Sequence, residues 1–454
     1  MGPSRERHRS PGARGDLAAA GDRSFWPSGR LHTVVRGSLA TIATLISLLA
    51  FAVGGAAAQG PSPALSTLDA ALANGMQSAG SASSAYVLDL GTGQSLFSAG
   101  ADTARLPASV EKVYTTSTAL LRFGPTATLS TAVLGRGSLD RHGGWHGTLF
   151  LRGGGDPTFG SASYDRYAYG TGATMQRLVS NLIKRTGIRA VYGRVVGDET
   201  YFDSLRGTAP TGFHVSYYLE GLLSALAYDR GLANEQGSAF QIRPALFAAQ
   251  RLLDALRAAG VRVPRGTTVS SGVTPRNAVQ LAAVHSPNIA TLTALTNAPS
   301  DNFFAEMLLK GLGARFAASG TTAAGAAVVR SQLNHSFGIR PVVQDGSGLS
   351  RRDSTSPREV VTVLARMATN PAFTSSLAVA GETGTLQYEM QGTVAQGRCR
   401  GKTGTLHDVS NLVGYCHARD GHTLAFAFLM NSIDPNYAHP IQDQMAVALA
   451  KYNG

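Results

Sequence analysis

The sequence contains no G-x-S-x-G stretch, which argues against the nucleophile elbow of an α/β-hydrolase. It also lacks H-E-x-x-H and G-x-G-x-x-G, so neither a zinc-peptidase helix nor a dinucleotide-binding turn is expected. Charge is sparse and uneven: charged residues make up 15% of the chain, and 40 Lys and Arg face 28 Asp and Glu. The basic residues are scattered, with no Lys/Arg-rich block and interleaved aromatics, and no nucleic-acid partner is expected. Cysteine is confined to Cys399 and Cys416. No twin arginine precedes the N-terminal apolar run, which points to the general export route.

What is present describes a globular, exported chain. A hydrophobic content of 43% over 454 residues is enough to bury a sizeable core in two or more domains. Within residues 1–36 seven Arg stand against Glu6, Asp16 and Asp22, and the run Ser38 to Val53 is uncharged before Gly54-Gly55-Ala56-Ala57-Ala58. This is the pattern of a secretory signal with a small-residue cleavage site and a mature start near Gln59; an uncleaved membrane anchor is the alternative. Residues 1–36 carry +4 of the net +12, and the +8 that the exported chain keeps reads as attraction to an anionic cell wall or membrane surface. Export also places the two cysteines in an oxidising compartment. Cys399 lies just before Lys402, and Cys416 ends the apolar run Val409 to Tyr415. If those runs pair as a hairpin, a cross-strand disulfide pins them; two buried free thiols are the other reading.

The chemistry starts at Pro107-Ala108-Ser109-Val110-Glu111-Lys112-Val113-Tyr114, which opens a helical pattern reaching about Phe123 and stopped by Gly124-Pro125. Ser109 and Lys112 lie nearly one helical turn apart and share a face. A serine hydroxyl is a weak nucleophile until a neighbour takes its proton, and a lysine in a desolvated cleft is neutral enough to do so. The predicted helix N-terminus adds free N–H groups and a dipole that favours developing negative charge. Downstream come Ser300-Asp301-Asn302 and Lys402-Thr403-Gly404-Thr405, in the order of the S-x-x-K, S-D-N and K-T-G elements of penicillin-binding proteins and class A β-lactamases.

With these three motifs the chain resembles the low-molecular-mass class C penicillin-binding proteins of the D-alanyl-D-alanine carboxypeptidase/endopeptidase type, peptidase family S13. Gly153-Gly154-Gly155-Asp156-Pro157-Thr158, Gly197-Asp198-Glu199, Asp345-Gly346-Ser347-Gly348-Leu349-Ser350 and Gly401-Lys402-Thr403-Gly404-Thr405-Leu406 are similar to that family's blocks, and the likeness runs from about Ala64 to the C-terminus. It implies an α/β (α+β) fold of the penicillin-binding-protein/β-lactamase-like transpeptidase type, a five-stranded antiparallel sheet flanked by helices. The expected organisation is a signal in residues 1–58, a catalytic domain in 59–128 and 285–454, and an inserted domain in 129–284. The strand-like runs Ser84 to Leu90, Gln94 to Ser98, Arg398 to Thr405, Val409 to His417 and Thr423 to Met430 agree with that sheet. The insertion is too short for the two nested domains of the larger family members.

The resemblance also implies roles. Ser109 attacks the carbonyl of the penultimate D-alanine, Lys112 takes its proton, and Ser300 relays a proton to the leaving D-alanine. The backbone N–H groups of Ser109 and Thr405 form the oxyanion hole. Lys402, Thr403 and Thr405 hold the terminal carboxylate, and Asn302 the peptide amide; Asp301 is structural. No cofactor or metal is implied, and the partners are peptidoglycan peptides and β-lactam antibiotics, in the periplasm or extracytoplasmic envelope. A serine β-lactamase is the alternative enzyme, disfavoured by the long insertion and the missing E-x-x-L-N. A catalytically silent wall-binding or penicillin-sensing protein is the alternative outside enzymes.

Other motifs are decoys. His142 and His146 sit among glycines and read as a surface turn rather than metal ligands. Ser286-Pro287-Asn288 reads as a helix cap with Ser286 at its head. Gly401-Lys402-Thr403 fails as a phosphate loop because the first glycine of that motif falls on Gln396.

Overall fold

The computed structural model describes residues 62–234 and 237–454. The export segment expected in residues 1–58, with its cleavage near Gln59, lies outside the described residues. In chain order the strands are β1 (Ser83–Asp89), β2 (Ser95–Ala99), β3 (Ser130–Leu139), β4 (Gly144–Arg152), β5 (Ala190–Asp198), β6 (Thr268–Ser271), β7 (Val279–His285), β8 (Ala378–Val379), β9 (Cys399–Leu406), β10 (Val409–His417) and β11 (Thr423–Asn431). The helices are α1 (Pro63–Ala79), α2 (Lys112–Phe123), α3 (Ala162–Ala168), α4 (Met175–Thr186), α5 (Pro244–Ala258), α6 (Ile289–Asn297), α7 (Asn302–Phe316), α8 (Thr322–Phe337), α9 (Pro357–Met367), α10 (Pro371–Thr374) and α11 (Pro435–Lys451).

The main sheet is antiparallel in the order β2-β1-β11-β10-β9-β8. It is one strand wider than expected, because the two-residue β8 pairs Ala378 with Gly401 and Val379 with Arg400. Both faces are covered, so the central strands read as continuous apolar runs rather than alternating ones. Alternation nevertheless sorts the side chains. Val413, Tyr415, Ala425, Ala427 and Leu429 join the core built on α2, α7 and α9, whereas Leu412, Cys416, Leu424, Phe426 and Phe428 pack with α1 and α11. Cys399 belongs to the second set. By the same count along β9, Lys402 and Gly404 face α2, and Thr403 and Thr405 face α11.

Between α2 and α6 the chain builds a second sheet in the order β6-β5-β4-β3-β7. It is mixed: β4–β5 and β5–β6 run parallel, β3–β4 and β3–β7 antiparallel. Its core includes Leu178 and Leu182 of α4 and Leu252 and Leu256 of α5. A glycine row, Gly137, Gly147 and Gly193, crosses three strands in register. A Cβ on Gly147 would lie 2.3 Å from the carbonyl oxygen of Arg136, a separation no side chain tolerates. The Gly153 and Gly197 blocks work in the same region: Glu199 takes both guanidinium arms of Arg206 at 2.7 Å, and Ser224 donates to it.

Three local expectations change. Ser109 is not in the α-helix but in a 3₁₀ turn, Ala108–Glu111, that leads into α2; Ala108 enters it with φ of 47°. A 3₁₀ turn eclipses residues three apart, so Ser109 and Lys112 align more closely than α geometry would allow. The cap of α6 is Asn288, which accepts from Thr291 N at 2.9 Å, while Ser286 accepts from Leu129 N instead. His142 lies in the turn before β4, but His146 is within β4 itself, where its Nε2 lies 2.8 Å from Asp140 Oδ2 and its ring stacks on Tyr192 of the paired β5.

Cys399 and Cys416 are directly paired across β9 and β10 and form a disulfide, both residues buried. Closing a loop of this size removes denatured-state entropy worth about 3 kcal/mol. Freshly purified protein, denatured without reductant, is therefore expected to titrate no thiol. The paired Cys399→Ala and Cys416→Ala variant should lose roughly 2–4 kcal/mol in denaturant unfolding.

Candidate active site

Ser109 is the only residue from Pro107 to Leu120 that is not buried. The turn that carries it is pinned to the main sheet by two asparagines that sequence reasoning missed. Asn411 Nδ2 donates to the carbonyls of Leu106 and Pro107 at 2.9 and 2.8 Å, and Asn431 Oδ1 accepts from Leu106 N at 2.8 Å. Gly404 sits against the same turn: a Cβ there would lie 2.6 Å from Pro107 O. The loop Asp345–Ser350 closes the other side, where a Cβ on Gly348, whose φ is 82°, would meet Ala108 O at 1.8 Å.

Lys112 is fully buried, and its Nζ meets Ser109 Oγ at 2.8 Å, Asn302 Oδ1 at 2.6 Å and the carbonyl oxygen of Ser347 at 2.8 Å. The last two partners are obligate acceptors. A neutral amine has two N–H bonds for them and one lone pair, which is left for the Ser109 hydroxyl. Burial lowers the Lys112 pKa to about 8, against the pull of Asp345, Asp301, Glu220 and Glu306. Both the geometry and the electrostatics therefore suit proton removal from Ser109.

The structure gathers the S-D-N element on the same cleft. Ser300 is partly buried with φ of 68°. Asp301 caps α7, accepting from Phe304 N at 2.9 Å. Asn302 is locked at both ends of its amide, because Nδ2 donates to the carbonyl of Tyr218 at 2.7 Å while Oδ1 faces Lys112. Lys402 is fully buried; its Nζ donates to the Thr403 carbonyl at 2.9 Å, and burial followed by the charge of Lys112 drives its pKa well down.

Thr403 and Thr405 stand apart from this cluster. They line a cavity of about 160 Å³ with Thr385, Glu389, His439 and Asp443, and Thr403 Oγ1 lies 2.9 Å from Thr385 Oγ1. Neither Thr385 nor Glu306 was anticipated. Glu306 Oε1 accepts from the N–H groups of Gly346 and Ser347 at 2.9 and 2.8 Å, which fixes the Ser347 carbonyl that meets Lys112. A carboxylate inside the apolar run of α7 was the available signal.

The profile of the D-Ala-D-Ala carboxypeptidase 3 (S13) family matches residues 64–213 and 226–452. The chain belongs to this family. It is 29% identical over 458 residues to a D-alanyl-D-alanine carboxypeptidase of Actinomadura sp. (strain R39), covering 83% of this chain and 82% of that protein. A carboxypeptidase of Mycobacterium tuberculosis is 30% identical over 367 residues, covering 77% and 76%. Among solved structures, penicillin binding protein 4 of Haemophilus influenzae superposes with a TM-score of 0.70 at 19% identity, covering 84% of this chain and 99% of that one. The S13 chain is thus an enzyme, a serine-type D-Ala-D-Ala carboxypeptidase on a penicillin-binding-protein fold.

An S13 enzyme that relies on neutral Lys112 should acylate faster as pH rises. Below the lysine pKa of about 8 the rate constant for acylation by penicillin is expected to climb nearly tenfold per pH unit, then level off. Stopped-flow acylation between about pH 6 and 9 measures this, and a flat profile would remove Lys112 as the base.

Proposed function

We propose that this S13 enzyme removes the terminal D-alanine from peptidoglycan stem peptides through an acyl-enzyme on Ser109, with endopeptidase action on cross-links through the same steps. The observation that carries the reading is the amine of Lys112 held at 2.8 Å from Ser109 Oγ with its other two positions filled by acceptors. Ser109 Oγ forms the ester bond to the penultimate D-alanine carbonyl as its proton passes to Lys112. The C–N bond then breaks, and Ser300 relays the proton held by Lys112 to the departing amine, so that both side chains return to their starting protonation. Water attacks the ester to release the shortened peptide. A β-lactam enters by the same attack, its amide opening while the leaving amine stays tethered.

Backbone N–H groups of Ser109 and Thr405 serve the oxyanion. Gly404, packed on the nucleophile turn, supports this by bringing the following residue of β9 alongside Ser109. One such donor is typically worth about 2.7–4 kcal/mol. Lys402 meets the terminal carboxylate on the α2 side of β9, and the hydroxyls of Thr403 and Thr405 meet it from the α11 side. Asn302 holds the peptide amide with the remaining N–H of Nδ2.

Action on peptidoglycan places the enzyme outside the cytoplasmic membrane, in the periplasm or an equivalent envelope layer, after export on its N-terminal signal. The Cys399–Cys416 disulfide supports an oxidising compartment. No helix among the described residues is long and apolar enough to cross a membrane. The net charge of +8 left after residues 1–58 favours peripheral association with an anionic wall or membrane surface.

Ser109→Ala should abolish both peptidase activity and penicillin labelling while leaving the unfolding midpoint unchanged; persistent labelling would sink the assignment. Lys402→Gln should slow a D-Ala-D-Ala substrate by roughly one to two powers of ten in kcat/KM, the loss of a charge-assisted contact of about 1.5–3 kcal/mol. A substrate with its terminal carboxylate amidated should lose far less. Equal slowing of both substrates would confine Lys402 to the proton-transfer apparatus.

A further inference from the structure

Arg230 belongs to the segment between β5 and α5, far in sequence from every catalytic motif, yet its guanidinium is spent on the S-D-N element. Nη1 and Nη2 donate to the two carboxylate oxygens of Asp301 at 2.5 and 3.1 Å, and Nε donates to the carbonyl of Glu220 at 2.7 Å. The side chain is 10% exposed and lies over the rings of Phe303 and Phe304 at 4.9 and 5.7 Å. Such a two-armed pair fixes the plane of a carboxylate as well as its charge.

The turn at Glu220 completes the grip. Its carboxylate accepts from Asn302 N at 3.0 Å, and the carbonyl two residues earlier, on Tyr218, accepts from Asn302 Nδ2 at 2.7 Å. Residues 214–225, which include both, fall between the two ranges matched by the family profile. The backbone is strained on both sides of the contact, with φ of 61° at Glu220, 56° at Arg230 and 68° at Ser300. Non-glycine residues hold such angles, at about 1–3 kcal/mol each, only where the surroundings over-determine them. Here each strained residue touches or adjoins the Arg230–Asp301 pair.

We propose that Arg230, with the Tyr218–Glu220 turn, is a positioning residue that holds Ser300, Asp301 and Asn302 in register with Lys112, so that the inserted region is part of the catalytic apparatus. Asp301 carries the force. Clamped by Arg230 and by its own cap bond to Phe304, it sets the φ of Ser300 on one side and the start of α7 at Asn302 on the other. The amide of Asn302 is turned so that its oxygen, not its nitrogen, meets Lys112. The groups that face Lys112 electrostatically are Asp345, Asp301, Glu220, Glu306 and Glu111, with Lys402 opposite. Removal of Arg230 therefore leaves Asp301 as an uncompensated anion near the base.

This proposal rests on the roles given above to Ser300 and Asn302, and the test keeps the two separable. Full-length Arg230→Gln, Arg230→Lys, Ser300→Ala and Asn302→Ala chains are reacted with penicillin across pH, and both the rate and the number of adducts per chain are read. Arg230→Gln is expected to take up one penicillin per chain but to acylate between about tenfold and a hundredfold more slowly, the cost of a misplaced reacting group. Its half-maximal rate should also move to higher pH, since the freed Asp301 carboxylate favours the ammonium form of Lys112. Arg230→Lys should return that midpoint while leaving the rate low, because a point charge cannot replace the fork. A wild-type rate and an unchanged midpoint in the reactive fraction of Arg230→Gln would overturn the proposal. If Arg230→Gln does not fold, Arg230→Lys decides alone: slow acylation with one adduct supports the clamp, and a wild-type rate overturns it. Wild-type acylation by both Ser300→Ala and Asn302→Ala would instead overturn the site assignment beneath it.

Discussion

The amine of Lys112 is the constraint on which the rest of the structure depends. An isolated buried ammonium costs several kcal/mol even after relaxation, so the position is tolerable only if the neutral form is favoured and its hydrogen bonds are met. Three separate segments meet them: the nucleophile turn through Ser109, the start of α7 through Asn302, and the Asp345–Ser350 loop through Ser347. None of these is near another in sequence. Each must approach within hydrogen-bond distance of one atom, and this explains why glycine stands at Gly348 and Gly404, where any Cβ would push the loop or β9 off the turn.

Beneath Lys112 lies a layer of carboxyl groups that would, if ionised, keep it protonated. Glu111, Glu306, Asp345 and Asp353 are all buried. Burial first, and then the charge of a neighbouring acid, raises Glu306 to about 8 and Asp353 to about 9, and also raises Glu111 well above the ordinary carboxylate range. Asp345 is drawn the other way by N–H bonds from Gly348 and Ser350, though burial still leaves it raised. Glu306 and Asp353 are thus largely neutral near pH 7. The oxygens of the layer accept from the N–H groups of the 345–350 loop, which orients the Ser347 carbonyl, while the charge of these two acids is withheld from Lys112. Two functions that seem opposed, ordering a loop with carboxylates and keeping a lysine neutral, coexist because the acids are too crowded to ionise together.

Much of this was legible in the residues. The three motifs named Ser109, Lys112 and Asn302, which the fold brings together around one amine, and the strand-like apolar runs of β10 and β11 marked a sheet even though both faces are buried. What could not be read was decided by distance in sequence or by one turn of geometry. The step from α to 3₁₀ at Ser109 depends on packing against Gly348 and Gly404, which local propensity does not register. Asn411 and Asn431 look like ordinary strand polars until the sheet brings them to Leu106. The partners of Asn302, Tyr218 and Glu220, come from a region whose sequence carries no recognisable motif, and the cap of α6 fell to Asn288 because Ser286 was needed to hold Leu129.

The face preference of β9 explains the division of the K-T-G element. A strand sends neighbouring side chains to opposite faces, so Lys402 cannot share a side with Thr403 or Thr405 however closely the three cooperate on a ligand. What they share is the strand's edge. Beyond the β8 pairs at Arg400 and Gly401, β9 from Lys402 to Leu406 has β10 as its only paired strand among the described residues. An open edge is ordinarily a liability, and here it offers backbone groups to an extended peptide. In the binding mode proposed for Lys402, Thr403 and Thr405, a carboxylate lying along that edge would be reached by the amine from the α2 face and by the hydroxyls from the α11 face. The Cys399–Cys416 bond lies at the end of β9 already sheltered by β8 and α11, which anchors the strand without occupying its open edge from Lys402 onward.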